Sequence, residues 1–169
     1  FIKKIDCIRY MWLYTYGGIY ADFDIKSLKS FEPLLNYPNA AYIPVDNFKI
    51  NWEKDRDMAS PALIASASWH PLWLLMIRYI CQYHHLSVKL ATGPIAIANV
   101  ILICYNYKPS LPFDLVFLKE NKFGLGWLKG VFKKYTYHIN TNDWDDNTTS
   151  QPPNYNSEAI NWLDNQIKI

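Results

Sequence analysis

The sequence predicts an α/β layered fold built as one domain, on three observations. Segments with helical periodicity alternate with short apolar runs of strand length, the pattern of helices packed on a sheet. The length of 169 residues falls in the range of roughly 100–200 for one domain. Half of the residues are hydrophobic and 17% are aromatic, enough to fill one core and incompatible with disorder. The net charge of +2 is small and scattered, so no nucleic-acid partner is expected. The cysteines, Cys7, Cys81 and Cys104, fit neither a closed disulfide framework nor a zinc spacing and read as core residues. The longest apolar run, residues 90–105, is interrupted by Gly93, Pro94 and Asn99 and is too short to cross a bilayer.

Residues 1–16 read as a helix, because Ile5, Ile8, Trp12 and Tyr16 recur at helical spacing. Asp6 and Arg9 are three apart and share a face. Gly17 and Gly18 end the helix, since glycine enters the left-handed cap conformation without a Cβ clash. Residues 19–24 read as a short buried strand ending in acids, and 40–45 as a second strand. The polar and aromatic stretch 46–57 reads as a loop, and 61–67 as a third strand. His70-Pro71 opens a helix to residue 83, since proline suits the first turn. Thr92-Gly93-Pro94 makes a turn and starts a helix that runs to about residue 104. Residues 113–118 and 135–139 read as strands. The Asn-, Asp-, Thr- and Pro-rich stretch 140–155 reads as a surface loop, and 156–168 as a C-terminal helix capped by Ser157.

Asp22 and Asp24 carry the chemistry. On a strand, side chains two apart share a face, so both carboxylates point the same way. Two neighbouring carboxylates repel unless a cation lies between them. Hard oxygen ligands at a strand end suit Mn²⁺ or Mg²⁺. Such an ion takes substrate phosphates in its open positions and neutralises charge on a phosphate leaving group. An isolated Asp-x-Asp pair is a weak signal. The apolar lead Gly18-Ile19-Tyr20-Ala21, and the acid and arginine on the preceding helix, strengthen it. By spacing alone, Asp6 and Arg9 equally describe a helix-surface ion pair of small worth. The amides of Thr92 and Gly93 at a helix start suit an anion or an acceptor hydroxyl, or belong to a plain turn. His70 reads as a helix opener rather than a catalyst. His84 and His85 are adjacent, hence on different helix faces, and are poor metal ligands. Asn147-Thr148-Thr149 is a glycosylation sequon, used only in a secretory lumen.

Asp6-x-x-Arg9 followed by Tyr14-x-Tyr16-Gly17-Gly18-Ile19-Tyr20-x-Asp22-x-Asp24 resembles the sugar-transferase domain with the DXD motif. This is glycosyltransferase family 32, with its fungal initiating and inositolphosphorylceramide mannosyltransferases. The core pattern is also similar to the glucosyltransferase domains of clostridial toxins. The resemblance is dense through Leu28 and Pro33-Leu34-Leu35. It continues thinly at Met58-Ala59-Ser60, His70-Pro71-Leu72-Trp73 and Thr92-Gly93-Pro94.

It implies a GT-A-type, Rossmann-like fold, a UDP- or GDP-hexose donor (mannose, glucose or galactose), Mn²⁺ or Mg²⁺, and retention of configuration. The acceptor would be a hydroxyl of a glycan, glycolipid or protein. Carried over residue by residue, Asp6 and Arg9 would bind donor sugar hydroxyls or the diphosphate, and Tyr20 would lie beside the nucleotide-sugar. Asp22 would contact ribose, sugar or metal, and Asp24 would ligate the metal. The family's late site-closing element resembles residues 137–144. There His138 would be a metal or phosphate ligand, Asp143 a substitute oxygen ligand, and Trp144 a sugar-stacking or site-lining residue.

The family places its first strands ahead of the helix that begins here at Phe1, so the resemblance implies an N-terminally truncated domain. The compartment, cytoplasmic or Golgi-membrane-associated, stays open. A phosphatase of the haloacid-dehalogenase type also carries Asp-x-Asp, but wants Thr or Val two residues on, where Lys26 stands. A non-catalytic carbohydrate-binding module, with Trp and Tyr as stacking platforms, is the alternative from another class.

Overall fold

The structure is a computed structural model that describes residues 1–45, 59–106, 113–119 and 135–138. The loops expected over 46–57 and 140–155 and the helix expected over 156–168 lie outside the described residues.

Helix α1 spans Ile2–Tyr16 and buries Asp6, Arg9, Tyr10 and Leu13. Ile5, Ile8, Trp12 and Tyr16, the stripe whose spacing predicts the helix, are exposed. Periodicity finds the helix but ranks its faces by hydropathy. A charged pair neutralised inside the fold reverses that ranking. Gly17 ends α1 with φ +66°, as expected. A Cβ there would lie 2.5 Å from the Ser68 nitrogen and 2.8 Å from the Ser66 carbonyl oxygen. Gly17 is therefore demanded both by its dihedral and by close approach of the 66–68 backbone.

Strand β1 is Gly18–Ala21 and mostly exposed, not the buried strand expected over 19–24. Asp22 donates its N–H to Ala62 O at 2.8 Å, and the chain then turns, with Ile25 N–H donating to Asp22 O at 2.9 Å. Strand β2, Ile25–Ser27, follows. Next come a 3₁₀ turn, Glu32–Leu34, strand β3, Ala40–Val45, and strand β4, Leu63–Ser66. Helix α2 is Pro71–Tyr83, a short α3 is Val88–Ala91, and α4 is Pro94–Asn106. Strands β5, Asp114–Lys119, and β6, Thr136–His138, complete the described elements. The single-turn α3, β2 and the 3₁₀ turn are additions to the expected elements.

The fold is mixed α/β, with a four-stranded sheet in the order β1-β4-β3-β5. The β1–β4 and β3–β4 pairs are antiparallel, and β3–β5 is parallel. A parallel pair needs a long crossover, and α2, α3 and α4 lie within it. Side chains alternate across this sheet as the pleat requires. Ala41, Ile43 and Ile64 join the helices in the main core. Ala40, Tyr42, Leu63, Ala65 and Leu118 form a second core on the other face, covered by Phe31, Leu34 and Leu35.

Trp73 anchors α2 against this framework. Its Nε1 donates to Ser66 Oγ at 2.6 Å, and its ring stacks on Tyr10 with centroids 5.8 Å apart. His70 opens α2 as expected: its Nδ1 accepts from Leu72 N–H at 3.3 Å. Its Nε2 lies 3.2 Å from Asp114 O, a carbonyl that only accepts, so Nε2 carries the proton. Burial lowers the His70 pKa, the Asp114 carbonyl partly opposing, and the ring is neutral.

The core reading holds for Cys104, whose thiol burial pushes up to about 12. It fails for Cys81, which is exposed, and Cys7 is half-buried. Trp12, Tyr16, Tyr37 and Trp69 are also exposed. Among the described residues no helix is long and apolar enough to cross a membrane.

Candidate active site

The DXD segment sits where β1 leaves the sheet. Because the chain turns there, Asp22 and Asp24 lie on a turn and not on a continuous strand. Strand alternation therefore does not align their carboxylates. Asp22 is instead aimed by its neighbours. Its Oδ1 accepts from the Tyr20 hydroxyl at 2.7 Å and pairs with Arg9 Nη2 at 3.2 Å. Both Asp22 and Asp24 are partly exposed.

Arg9 is the hub. Its Nη2 also pairs with Asp6 Oδ1 at 2.8 Å, both side chains being only 6% exposed. Its Nη1 donates to Pro61 O at 2.9 Å, and its guanidinium carbon lies 4.5 Å from the centroid of the Tyr20 ring. The surface ion-pair reading is thereby excluded: this pair is interior, and each charge needs the other. Arg9 Nε is buried and has no hydrogen-bond partner among the described residues.

Asp6 is held from its far side. Thr92 Oγ1 donates to Asp6 Oδ2 at 2.6 Å, and Tyr10 OH donates to Thr92 O at 2.7 Å. Burial raises the Asp6 pKa, while Arg9 and the Thr92 hydroxyl pull it back. Burial also raises Tyr20, so its phenol keeps the proton it gives to Asp22. Burial alone lowers Arg9, but Tyr10, Asp6, Asp22 and Tyr20 more than offset this, and the guanidinium stays charged.

Thr92 and Gly93 lie at the end of α3. The N–H groups of both donate to Val88 O, at 3.0 and 2.8 Å, and Thr92 is fully buried. These amides cap α3 and are not available to an anion. Of the two readings, amides for a ligand or a plain turn, these bonds fit the turn; among the described residues Thr92 meets the site through Asp6.

Strand β6 pairs with β2 so that His138 stands opposite Ile25, the residue after Asp24. The backbone thus brings the late histidine beside the DXD turn. Asp143, Trp144 and the sequon lie outside the described residues. Among the described residues no cluster of three or more His, Cys, Asp or Glu side chains gathers.

The sequence reasoning missed the carbonyls of Pro61 and Ala62, which hold Arg9 and the Asp22 amide. It also missed the hydroxyl of Tyr10. Backbone acceptors carry no residue signature, so no pattern could have found the first two.

Residues 1–41 match the family described as "Glycosyltransferase sugar-binding region containing DXD motif". Inositol phosphoceramide mannosyltransferase 3 of Schizosaccharomyces pombe is 32% identical over 110 residues, covering 59% of this chain and 27% of that protein. Inositol phosphoceramide mannosyltransferase 1 of the same yeast is 32% identical over 100 residues, covering 56% of this chain and 28% of the relative. Inositol phosphoceramide mannosyltransferase 2 is 29% identical over 119 residues, 66% of this chain and 30% of the relative. The chain thus spans under a third of the length of these relatives. The matched segment holds Asp6, Arg9, Tyr20, Asp22 and Asp24, the residues gathered at the turn. The first 41 residues are similar to the sugar-binding region of the DXD-motif glycosyltransferases, and more than half of the chain is similar to the yeast mannosyltransferases.

Proposed function

We propose that this protein is a glycosyltransferase that moves a hexosyl group from a nucleoside diphosphate sugar to an acceptor hydroxyl with retention, on a GT-A-type fold. The single observation that carries the reading is the Asp6–Arg9–Asp22 bridge at the DXD turn, buried at Asp6 and Arg9 and partly exposed at Asp22, inside the segment similar to the family. The names of the yeast relatives favour mannose as the sugar and a glycolipid headgroup as the acceptor.

Asp22 and Asp24 are hard oxygen donors, the chemistry that Mn²⁺ or Mg²⁺ selects. Both residues are partly exposed on the turn, where an ion from solvent can reach them. The pair therefore fits a divalent cation. Asp22 and Asp24 would hold the ion, which would supply positive charge for a departing diphosphate.

The chain's own residues do the remainder. Arg9, kept charged by two carboxylates, sets a fixed positive field beside the turn that favours the developing anion. Its Nε–H, which meets no partner among the described residues, is a buried donor suited to a ligand oxygen. Tyr20 stays protonated and orients Asp22. Asp6 holds the same Nη2 that meets Asp22, so the field needs no rearrangement when donor arrives.

The test is turnover of UDP- and GDP-hexoses by the full reading frame, with and without Mn²⁺, beside Asp22→Asn and Asp24→Asn. Metal-dependent turnover of one donor is expected. Each variant should lose about a hundredfold, as loss of a metal ligand commonly does. Near-normal activity of Asp24→Asn removes the metal assignment. Sugar binding without any turnover or metal dependence makes the protein a non-catalytic carbohydrate-binding module.

A further inference from the structure

We infer that Thr92 is a positioning residue: through Asp6 and Arg9 it fixes where the Asp22 carboxylate stands, and so tunes donor binding at the DXD turn. This rests on the transferase reading above and deepens it.

The relay is continuous. Thr92 Oγ1 donates to Asp6 Oδ2 at 2.6 Å. Asp6 Oδ1 and Asp22 Oδ1 share one nitrogen, Arg9 Nη2, at 2.8 and 3.2 Å. A hydroxyl donates one hydrogen. The alternative acceptor, Val88 O, lies farther away at 3.3 Å, so Asp6 receives the proton. The Thr92 side chain has no surface from which to meet a ligand, being fully buried. Its backbone is fixed at both ends, N–H to Val88 O and C=O to Tyr10 OH. It is therefore a rigid donor at the inner end of the chain, and Asp22 is the outer end.

The physical consequence concerns how the two carboxylates divide one cationic nitrogen. With Oδ2 bonded to Thr92, Asp6 is held in a single rotamer and draws less on Arg9. Without that bond Asp6 can rotate, its negative charge is met by Arg9 alone, and the guanidinium moves toward it. The longer of the two contacts, that to Asp22, is the one lost first. Asp22 then loses the hold of the guanidinium and its position broadens.

The experiment compares Thr92→Val, which keeps the shape and deletes the hydroxyl, with Thr92→Ser, which keeps the hydroxyl. Each is made in the full chain, alone and with Asp22→Asn. Two quantities are read: binding of UDP-glucose and of GDP-mannose by calorimetry, and the unfolding equilibrium constant in urea.

Thr92→Ser is expected to bind donor within about twofold of wild type. Thr92→Val should bind about 10–100-fold more weakly, the usual cost of removing a partner behind a site residue. In the Asp22→Asn background the same change should have little further effect. The coupling should also show in the unfolding constant, with a departure from multiplicativity of at least about threefold, beyond the scatter of independent sites.

Multiplicative effects of Thr92→Val and Asp22→Asn overturn the relay. So does a Thr92→Ser variant as impaired as Thr92→Val, because a packing role does not distinguish them in that direction. If wild type binds neither donor, the transferase reading falls, and the unfolding cycle alone decides the relay.

Discussion

Arg9→Met keeps most of the side chain's length and removes its charge. Four contacts disappear: the pair with Asp6 at 2.8 Å, the pair with Asp22 at 3.2 Å, the bond to Pro61 O at 2.9 Å and the guanidinium's place 4.5 Å from the Tyr20 ring centroid. Asp6 is left buried and uncompensated except for Thr92. Removing one member of a buried ion pair costs about 3–5 kcal/mol. An exposed pair at the same helical spacing is worth less than about 1 kcal/mol. The 6% exposure of both Asp6 and Arg9 side chains places this pair in the first class. Asp22, 28% exposed, is partly solvated and adds less. A loss of that size is a large share of the roughly 5–15 kcal/mol that holds a domain folded.

The deficit also has a definite pH dependence. Burial raises Asp6, and Arg9 is the strongest influence pulling it back. Without Arg9 the folded Asp6 binds its proton at still higher pH. Between the unfolded carboxylate value of about 4 and that raised value, the native variant holds more protons than the unfolded chain. Stability therefore falls as pH rises through this window. The deficit relative to wild type is smallest in acid and grows toward neutrality. Urea unfolding of both proteins at about pH 5 and about pH 7 reads it directly. A deficit under about 1 kcal/mol at pH 7, or one that does not shrink on acidification, refutes the buried-hub account.

Gly17→Ala should destabilise by about 2 kcal/mol or more, since a Cβ would meet backbone at 2.5 Å and φ is +66°; an unchanged thermal midpoint contradicts the close approach. His70→Asn keeps an N-cap acceptor but cannot titrate. In wild type the folded His70 pKa is lowered, so the unfolded chain binds more protons just below its own value of about 6.5. Stability should be full above that pH and fall as pH drops through the window toward the folded value. That slope should be smaller in His70→Asn, as measured by unfolding between about pH 5 and about pH 8; an unchanged slope places the titration elsewhere.

Local chemistry was legible in the sequence, and long-range pairing was not. The helix over 1–16 and its glycine stop follow from spacing and from a dihedral that glycine tolerates. His70-Pro71 as a helix opener follows from capping chemistry. The β3 strand matches its expected bounds, because an apolar run of that length has few other uses. The strand over 19–24 was misread, since a carboxylate pair carries no mark of a turn. The helix's packed face is not legible in hydropathy, which does not register that Asp6 and Arg9 are partners of Asp22, Thr92 and Pro61. The late-chain expectations at Asp143, Trp144 and the C-terminal helix lie outside the described residues.

The sequence by itself determined that this is an α/β chain and which residues, Asp6, Arg9, Tyr20, Asp22 and Asp24, group in one motif similar to sugar transferases. Those are facts of composition, period and order along the chain. Only the tertiary structure decided that Arg9 is interior, that one guanidinium nitrogen serves two carboxylates, and that Thr92, 86 positions from Asp6, steadies the inner one. Such contacts arise when α1, the 61–62 turn and the end of α3 are packed together. A one-dimensional pattern holds no record of distances that packing alone creates.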